Sequence, residues 1–102
     1  MAYSRQNLYS QQDQIASYFA KALSHSARLL LLSKLYLEGP STAGNLAKLH
    51  PISVQAISQH LRILRKADLV ISWEKFPNTF YKINKKNFNK MNRYLKAYLD
   101  QF

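Results

Sequence analysis

Cysteine is missing altogether, and with it go disulfide frameworks, thiolate metal sites and cysteine nucleophiles. Glycine and proline number only two and three in 102 residues, which disfavours a turn-rich all-β fold and leaves no Gly-rich phosphate loop. Long apolar runs are absent too. The longest aliphatic one, Leu29 to Leu32, is far too short to cross a bilayer. The opening MAYSRQNLYSQQDQ lacks the basic-then-apolar layout of a secretion signal, so a soluble, cytoplasmic protein with no membrane partner is expected. Acidic residues number five, stand singly and suggest no Ser/His/Asp set, so an enzyme is not expected. His25, His50 and His60 are spread over three segments without ligand-type spacing. Neither a metal site nor a cofactor is expected from them.

What is abundant is positive charge. Fifteen Lys and Arg give a formal net charge of +10. From Arg62 to Lys96 there are ten basic and two acidic residues, whereas Met1 to Leu61 carries five and two. A positive field concentrated in one segment suits a polyanion, because each neutralised phosphate releases condensed counterions. With 47% hydrophobic and 20% charged residues the chain should fold, and its length fits one domain over residues 1–102.

Residues 1–9 read as a loose polar arm. From Gln11 to Leu23, Ile15, Tyr18, Phe19, Ala22 and Leu23 recur at helical spacing and mark one amphipathic stripe. Ser24-His25-Ser26 breaks that helix and can cap the next, a Leu-rich one over Ala27 to Glu38 that should be the most buried. It stops at Gly39-Pro40. Ser41 or Thr42 then caps a short helix to about His50, with Ala43, Leu46, Ala47 and Leu49 as its apolar positions. Ser53 caps another, and two short helices joined by a tight turn are a helix-turn-helix candidate. After Asp68 the period changes. Leu69 to Lys75 and Thr79 to Asn84 are rich in β-branched and aromatic residues and flank Phe76-Pro77-Asn78, the pattern of a β-hairpin. Lys85 to Phe102 returns to helix, where Phe88, Met91, Leu95, Tyr98 and Phe102 step by three and four along a narrow seam.

On a helical wheel, Ile57, Leu61 and Leu64 fall on one side of the segment Ser53 to Ala67, with Val54 and His60 at the margins. Gln55, Ser58, Gln59, Arg62 and Lys66 share an arc on the other. Carboxamides and a hydroxyl near the N-terminus can exchange hydrogen bonds with base edges, and the cations that follow can meet phosphates. That is the layout a recognition helix in a DNA major groove needs. The bland reading of the same arc is a merely polar helix face.

The stretch SVQAISQHLRILRKADLV, Ser53 to Val70, resembles the recognition-helix signature of the arsenic-responsive repressor (ArsR) family of bacterial winged-helix regulators, commonly S-x-x-x-[VI]-S-x-H-L-x-x-L-x-x-A-G-L-V. Leu23 to Leu29 resembles the family's L-x-x-x-x-R-L, Asn45 to Ala47 its E-L-A, and Ser72 to Ile83 its wing. The likeness spans roughly residues 20–84 and departs from the pattern at three places. Asp68 stands where Gly is usual, so the turn there needs Asp to tolerate an unusual backbone conformation. Phe76-Pro77 replaces a Gly and a basic residue at the wing tip. The ligands of the metal-sensing members, Cys or terminal-helix Asp and His, have no counterpart, so a metal-sensor role does not carry over.

The resemblance and the residues together imply a mainly α protein with a small β-hairpin, a winged helix-turn-helix. The expected function is sequence-specific binding of double-stranded DNA by a homodimeric regulator, a repressor acting at an inverted-repeat operator at the bacterial nucleoid. Gln55, Ser58 and Gln59 are the candidate base contacts, with Val54 against a thymine methyl. Ser53, Arg62, Arg65, Lys66, Lys75 and Lys82 are the candidate phosphate contacts. The first and last helices, residues 11–23 and 85–102, are expected to form the dimer through Tyr18, Phe19, Phe88, Met91, Leu95, Tyr98 and Phe102. The rival readings are a winged helix that only mediates protein contacts, and a single-strand-binding module in which Trp73, Phe80 and Tyr81 stack on bases. Arg28 reads as a structural tie between helices, and His60 as a helix-margin or phosphate-bonding residue. No small-molecule effector is legible.

Overall fold

In the computed structural model, residues 8–48 and 51–102 are described; the expectations for the first seven residues, Leu49 and His50 lie outside them. Each helix starts where the sequence supplies a cap. Helix α1 (Gln11–Ala22) begins after Ser10, whose hydroxyl accepts from the Asp13 amide at 3.0 Å. Helix α2 (Ser26–Glu38) begins after His25, whose Nδ1 accepts from the Ala27 amide at 3.1 Å. It ends at Gly39, where φ is +83° and ψ is −165°. That region of backbone space is open in practice only to glycine.

Thr42 caps helix α3 (Ala43–Ala47), and Ser53 caps helix α4 (Val54–Lys66) by accepting from the Ala56 amide at 3.1 Å. Helix α4 closes with Asp68 at φ +58°. The Asp68 amide donates to the Arg65 carbonyl at 2.9 Å, and the Leu69 amide donates to the Leu64 carbonyl at 3.0 Å. This is a Schellman ending, with its usual apolar contact supplied by the fully buried pair Leu64 and Leu69. The Asp at this turn therefore does adopt the left-handed conformation usually given to Gly.

Strands β2 (Val70–Lys75) and β3 (Asn78–Ile83) pair antiparallel from Val70 opposite Ile83 to Lys75 opposite Asn78, so the turn is Phe76-Pro77 alone. A third strand, β1 (Ser41–Thr42), adds to the free edge of β3, with Ser41 opposite Tyr81 and Thr42 opposite Phe80. Two residues are too few to show an alternation, so no sequence pattern announces β1. Helix α5 (Lys85–Leu99) follows the Asn84 cap.

The core is one cluster drawn from all five helices and the base of the hairpin, and Leu31, Leu46, Ile57, Leu61, Leu64, Leu69 and Val70 are its fully buried members. Removing one such side chain to alanine costs about 2–5 kcal/mol. Helices α1 and α5 pack on each other, and here the expected dimer seam is corrected. Phe19 and Met91 are 3% and 4% exposed, inside the chain's own core, and Phe88 and Leu95 pack against that core from its edge. A stripe at helical spacing cannot say whether it faces its own chain or a partner, and most of this one faces its own chain. Tyr18, Tyr98 and Phe102 remain on the surface.

Candidate nucleic-acid interface

Helix α4 turns Ile57, Leu61 and Leu64 into the core. This burial fixes its rotation, so Gln55, Gln59, Arg62, Arg65 and Lys66 stand exposed and Ser58 is half-buried beside them. Val54 is 46% exposed at the start of the helix. Ser53 is also exposed, but its oxygen already accepts the capping bond, which leaves the hydroxyl hydrogen to donate.

Beyond α4 the exposed face continues into the hairpin. Ser58, Arg62 and Arg65 line one wall of an open groove, and Ser72, Glu74, Thr79 and Tyr81 line the other. Arg65 spans it, with Nη1 donating to Ser72 Oγ at 3.4 Å. The hairpin's alternation explains the wall: Ser72 and Glu74 share a face with Thr79 and Tyr81. Alternation in the sequence can place Ser72, Glu74, Thr79 and Tyr81 on one face, but that this face meets α4 follows only from the tertiary fold. On the opposite face Trp73 stacks on Phe80 with centroids 5.8 Å apart, and Lys82 Nζ sits 5.6 Å over the Trp73 ring. Lys75 is exposed near the tip. Gln55, Ser58, Gln59, Arg62, Arg65 and Lys66 thus share one helix surface, while Lys82 and Lys75 belong to the outer hairpin face.

Three contacts tie α4 to the first two helices and the cap between them. Arg28 Nε donates to the Ala22 carbonyl at 2.7 Å, and its Nη1 lies 3.3 Å from His60 Nδ1. Because a guanidinium can only donate, this geometry makes His60 Nδ1 the acceptor. The His25 ring lies 4.4 Å from the His60 ring, centroid to centroid. Burial, then the neighbouring His25 and Arg28 charges, hold the His60 pKa below its ordinary value. Arg28 is therefore the helix tie expected of it, and His60 is its partner on α4. At the other end, Tyr18 of α1 donates from its hydroxyl to the Lys66 carbonyl at 3.1 Å.

Among the described residues no group of three or more His, Cys, Asp or Glu is placed to hold a metal ion. No helix among them is long and apolar enough to cross a membrane.

This architecture and its sequence are shared with known proteins. Residues 25–72 match the family model described as bacterial regulatory protein, arsR family. The HTH-type transcriptional regulator YgaV of Escherichia coli (strain K12) is 34% identical over 74 residues, covering 72% of this chain and 75% of that protein. An ArsR-like transcriptional regulator from Rhodococcus sp. RHA1 superposes with a TM-score of 0.74 at 27% identity, over 90% of this chain and 86% of that one. NolR from Sinorhizobium fredii gives 0.69 at 27% identity, over 95% and 94%. The chain belongs to the ArsR family of bacterial regulators, whose members are winged helix-turn-helix transcription factors that bind double-stranded DNA and are not enzymes.

Proposed function

We propose that the protein is a homodimeric, sequence-specific repressor that reads its operator with the exposed face of α4. One observation carries this reading: uncharged hydrogen-bonding groups, Gln55, Ser58 and Gln59, lie beside Arg62 and Arg65 on a face continuous with the hairpin groove. The amides suit base edges and the cations suit the backbone that borders them. Val54 is positioned to meet a thymine methyl. Ser53, Arg62, Arg65 and Lys66 take phosphates around α4, and Lys75 and Lys82 take them along the hairpin. Occupying a promoter in this way blocks transcription, which makes repression the role.

The dimer forms through α1 and α5. Tyr98 and the edge of Leu95 on α5, with Phe102 just beyond it, supply apolar surface, while the short side chains of Ser17 and Ala20 on α1 leave room for a partner helix beside them. A two-fold dimer sets two recognition helices about one DNA turn, ~34 Å, apart and calls for an inverted repeat.

The test is selection of duplexes from a random library, followed by binding to the selected sequence and to random duplex. Gln55→Ala or Gln59→Ala should cost about 1–3 kcal/mol on the selected duplex and little on random DNA. Arg62→Ala should weaken both alike, with affinity falling by about 0.9 log units per log unit of salt for each phosphate contact. Equal losses on both duplexes would remove the glutamines from readout. The outward Trp73–Phe80 pair is the feature that favours single-strand binding. That reading requires unpaired oligonucleotides to win over duplex of equal length.

A further inference from the structure

The tip of the hairpin carries a side chain that charge and hydrogen bonding leave unexplained. Phe76 is 96% exposed, the highest value among the exposed large hydrophobic residues described. A phenyl ring gains much from leaving water, so one held fully in solvent on a surface otherwise suited to DNA invites an apolar site on the DNA.

Three observations make this ring a presented group. First, it stands on a braced rod. The Trp73–Phe80 stack lies at 16° between ring planes behind the tip, Lys82 covers Trp73, and β1 pairs with the far side of β3. Second, its neighbours suit a nucleic-acid backbone: Lys75 and Asn78, opposite each other at the last rung, are both exposed, and Pro77 restricts the turn. Third, the hairpin leads out of the groove that Ser58, Arg62 and Arg65 share with it. Six-residue strands rise ~3.3 Å per residue, so the tip reaches roughly 20 Å from the hairpin base. That exceeds the ~12 Å width of a major groove occupied by α4.

Resting on the reading of α4 as the recognition helix, we propose that Phe76 is an apolar wedge for the adjacent minor groove. The ring enters one base step and partly unstacks it, Lys75 meets the flanking phosphate, and the duplex kinks by roughly 20–90° toward the major groove. Pyrimidine–purine steps open most readily, so Phe76 determines specificity at a step to which no hydrogen bond is made. Phe76 is thus a second sequence reader, acting through the deformability of DNA.

The experiment uses the 102-residue chain and the duplex selected by the wild type from a random library, labelled at both ends for energy transfer. Trp73, the only tryptophan, reports separately on the wing through quenching by the bases. Wild type should shorten the end-to-end distance and quench Trp73, and selected duplexes should share a TA or CA/TG step at a fixed distance from the α4 site. Phe76→Ala should keep the salt dependence but lose the bend, the preference for that step and about tenfold in affinity. Phe76→Lys should bind without restoring the bend. A Phe76→Ala protein that bends and binds as the wild type does would overturn the wedge while leaving α4 as the reader. A Phe76→Ala protein with unchanged DNA binding but a smaller sedimenting species would assign the ring to a protein contact instead, and overturn it equally. Failure of the wild type to bind any duplex would overturn the reading of α4 and the wedge together.

Discussion

Asp68 holds a backbone conformation, φ +58°, that most side chains resist, and it does so because the α4 ending requires it. The two hydrogen bonds of that ending set the direction in which Leu69 enters the core and the hairpin leaves it. The left-handed region costs an L-residue ~1–2 kcal/mol, less for Asp, whose short side chain bonds locally. Glycine removes that cost but adds ~0.4–1 kcal/mol of unfolded-chain entropy. Asp68→Gly should therefore raise the unfolding free energy slightly, by roughly 0.5 kcal/mol on these magnitudes. Asp68→Val, β-branched and without a local acceptor, should lower it by about 1–2 kcal/mol. Urea unfolding midpoints decide the matter: Gly and Val variants of equal stability would mean that the left-handed turn is not maintained in solution.

Among the elements, α4 is the one whose surroundings matter most, because its rotation decides which groups it exposes. His60 accepts from Arg28 through Nδ1 and lies against His25, so protonation removes the acceptor and adds a charge beside another cation. The native state therefore binds a proton at His60 less readily than the unfolded chain does. The contribution is complete above the ordinary value of 6.5 and is lost as pH falls from there through the lowered native value. Melting temperatures should drop between pH 7.5 and pH 5.5 more in the wild type than in His60→Gln, which keeps an acceptor and does not titrate; identical drops would exclude His60 as the source. Much of the element plan was legible in sequence, since caps at Ser53 and Thr42, the Gly39 stop and the hairpin's alternation are local signals. The Arg28–His60 contact joins residues 32 positions apart, and no local pattern records it. Phe19 and Met91 illustrate the other gap: periodicity found their stripes, while the choice between own core and partner depends on how α1 and α5 lie together. At the candidate DNA face the wheel of α4 was enough, because three buried residues fix its rotation, whereas the groove with the hairpin required the tertiary fold.

At the scale of the molecule, apolar surface and charge are distributed unevenly. Tyr98 and Phe102 pack edge to face at 5.4 Å, and Phe102 is 91% exposed. Covering such a patch returns ~25 cal/mol per Å2, and the proposed dimer supplies the cover. Leu95 packs partly on its own chain, so an acid there would confuse unfolding with dissociation. Tyr98→Asp with Phe102→Asp is the cleaner change. It should leave the melting curve of the monomer intact, yield monomers by light scattering and lose the selected operator; a wild type monomeric at micromolar concentration would rule the arrangement out. Charge is the other asymmetry. Among the described residues the ion pairs are Lys34–Glu38, half-exposed on α2, and Lys96–Asp100, exposed at the end of α5; each joins residues four apart. Against fifteen Lys and Arg, that leaves a fold whose cations chiefly repel one another when no polyanion is near. Small ions quieten this repulsion over about 10 Å at 0.1 M. Salt thus has two opposite effects on one set of side chains: it competes for the charges with nucleic acid, and it relaxes the strain that those charges place on the empty protein.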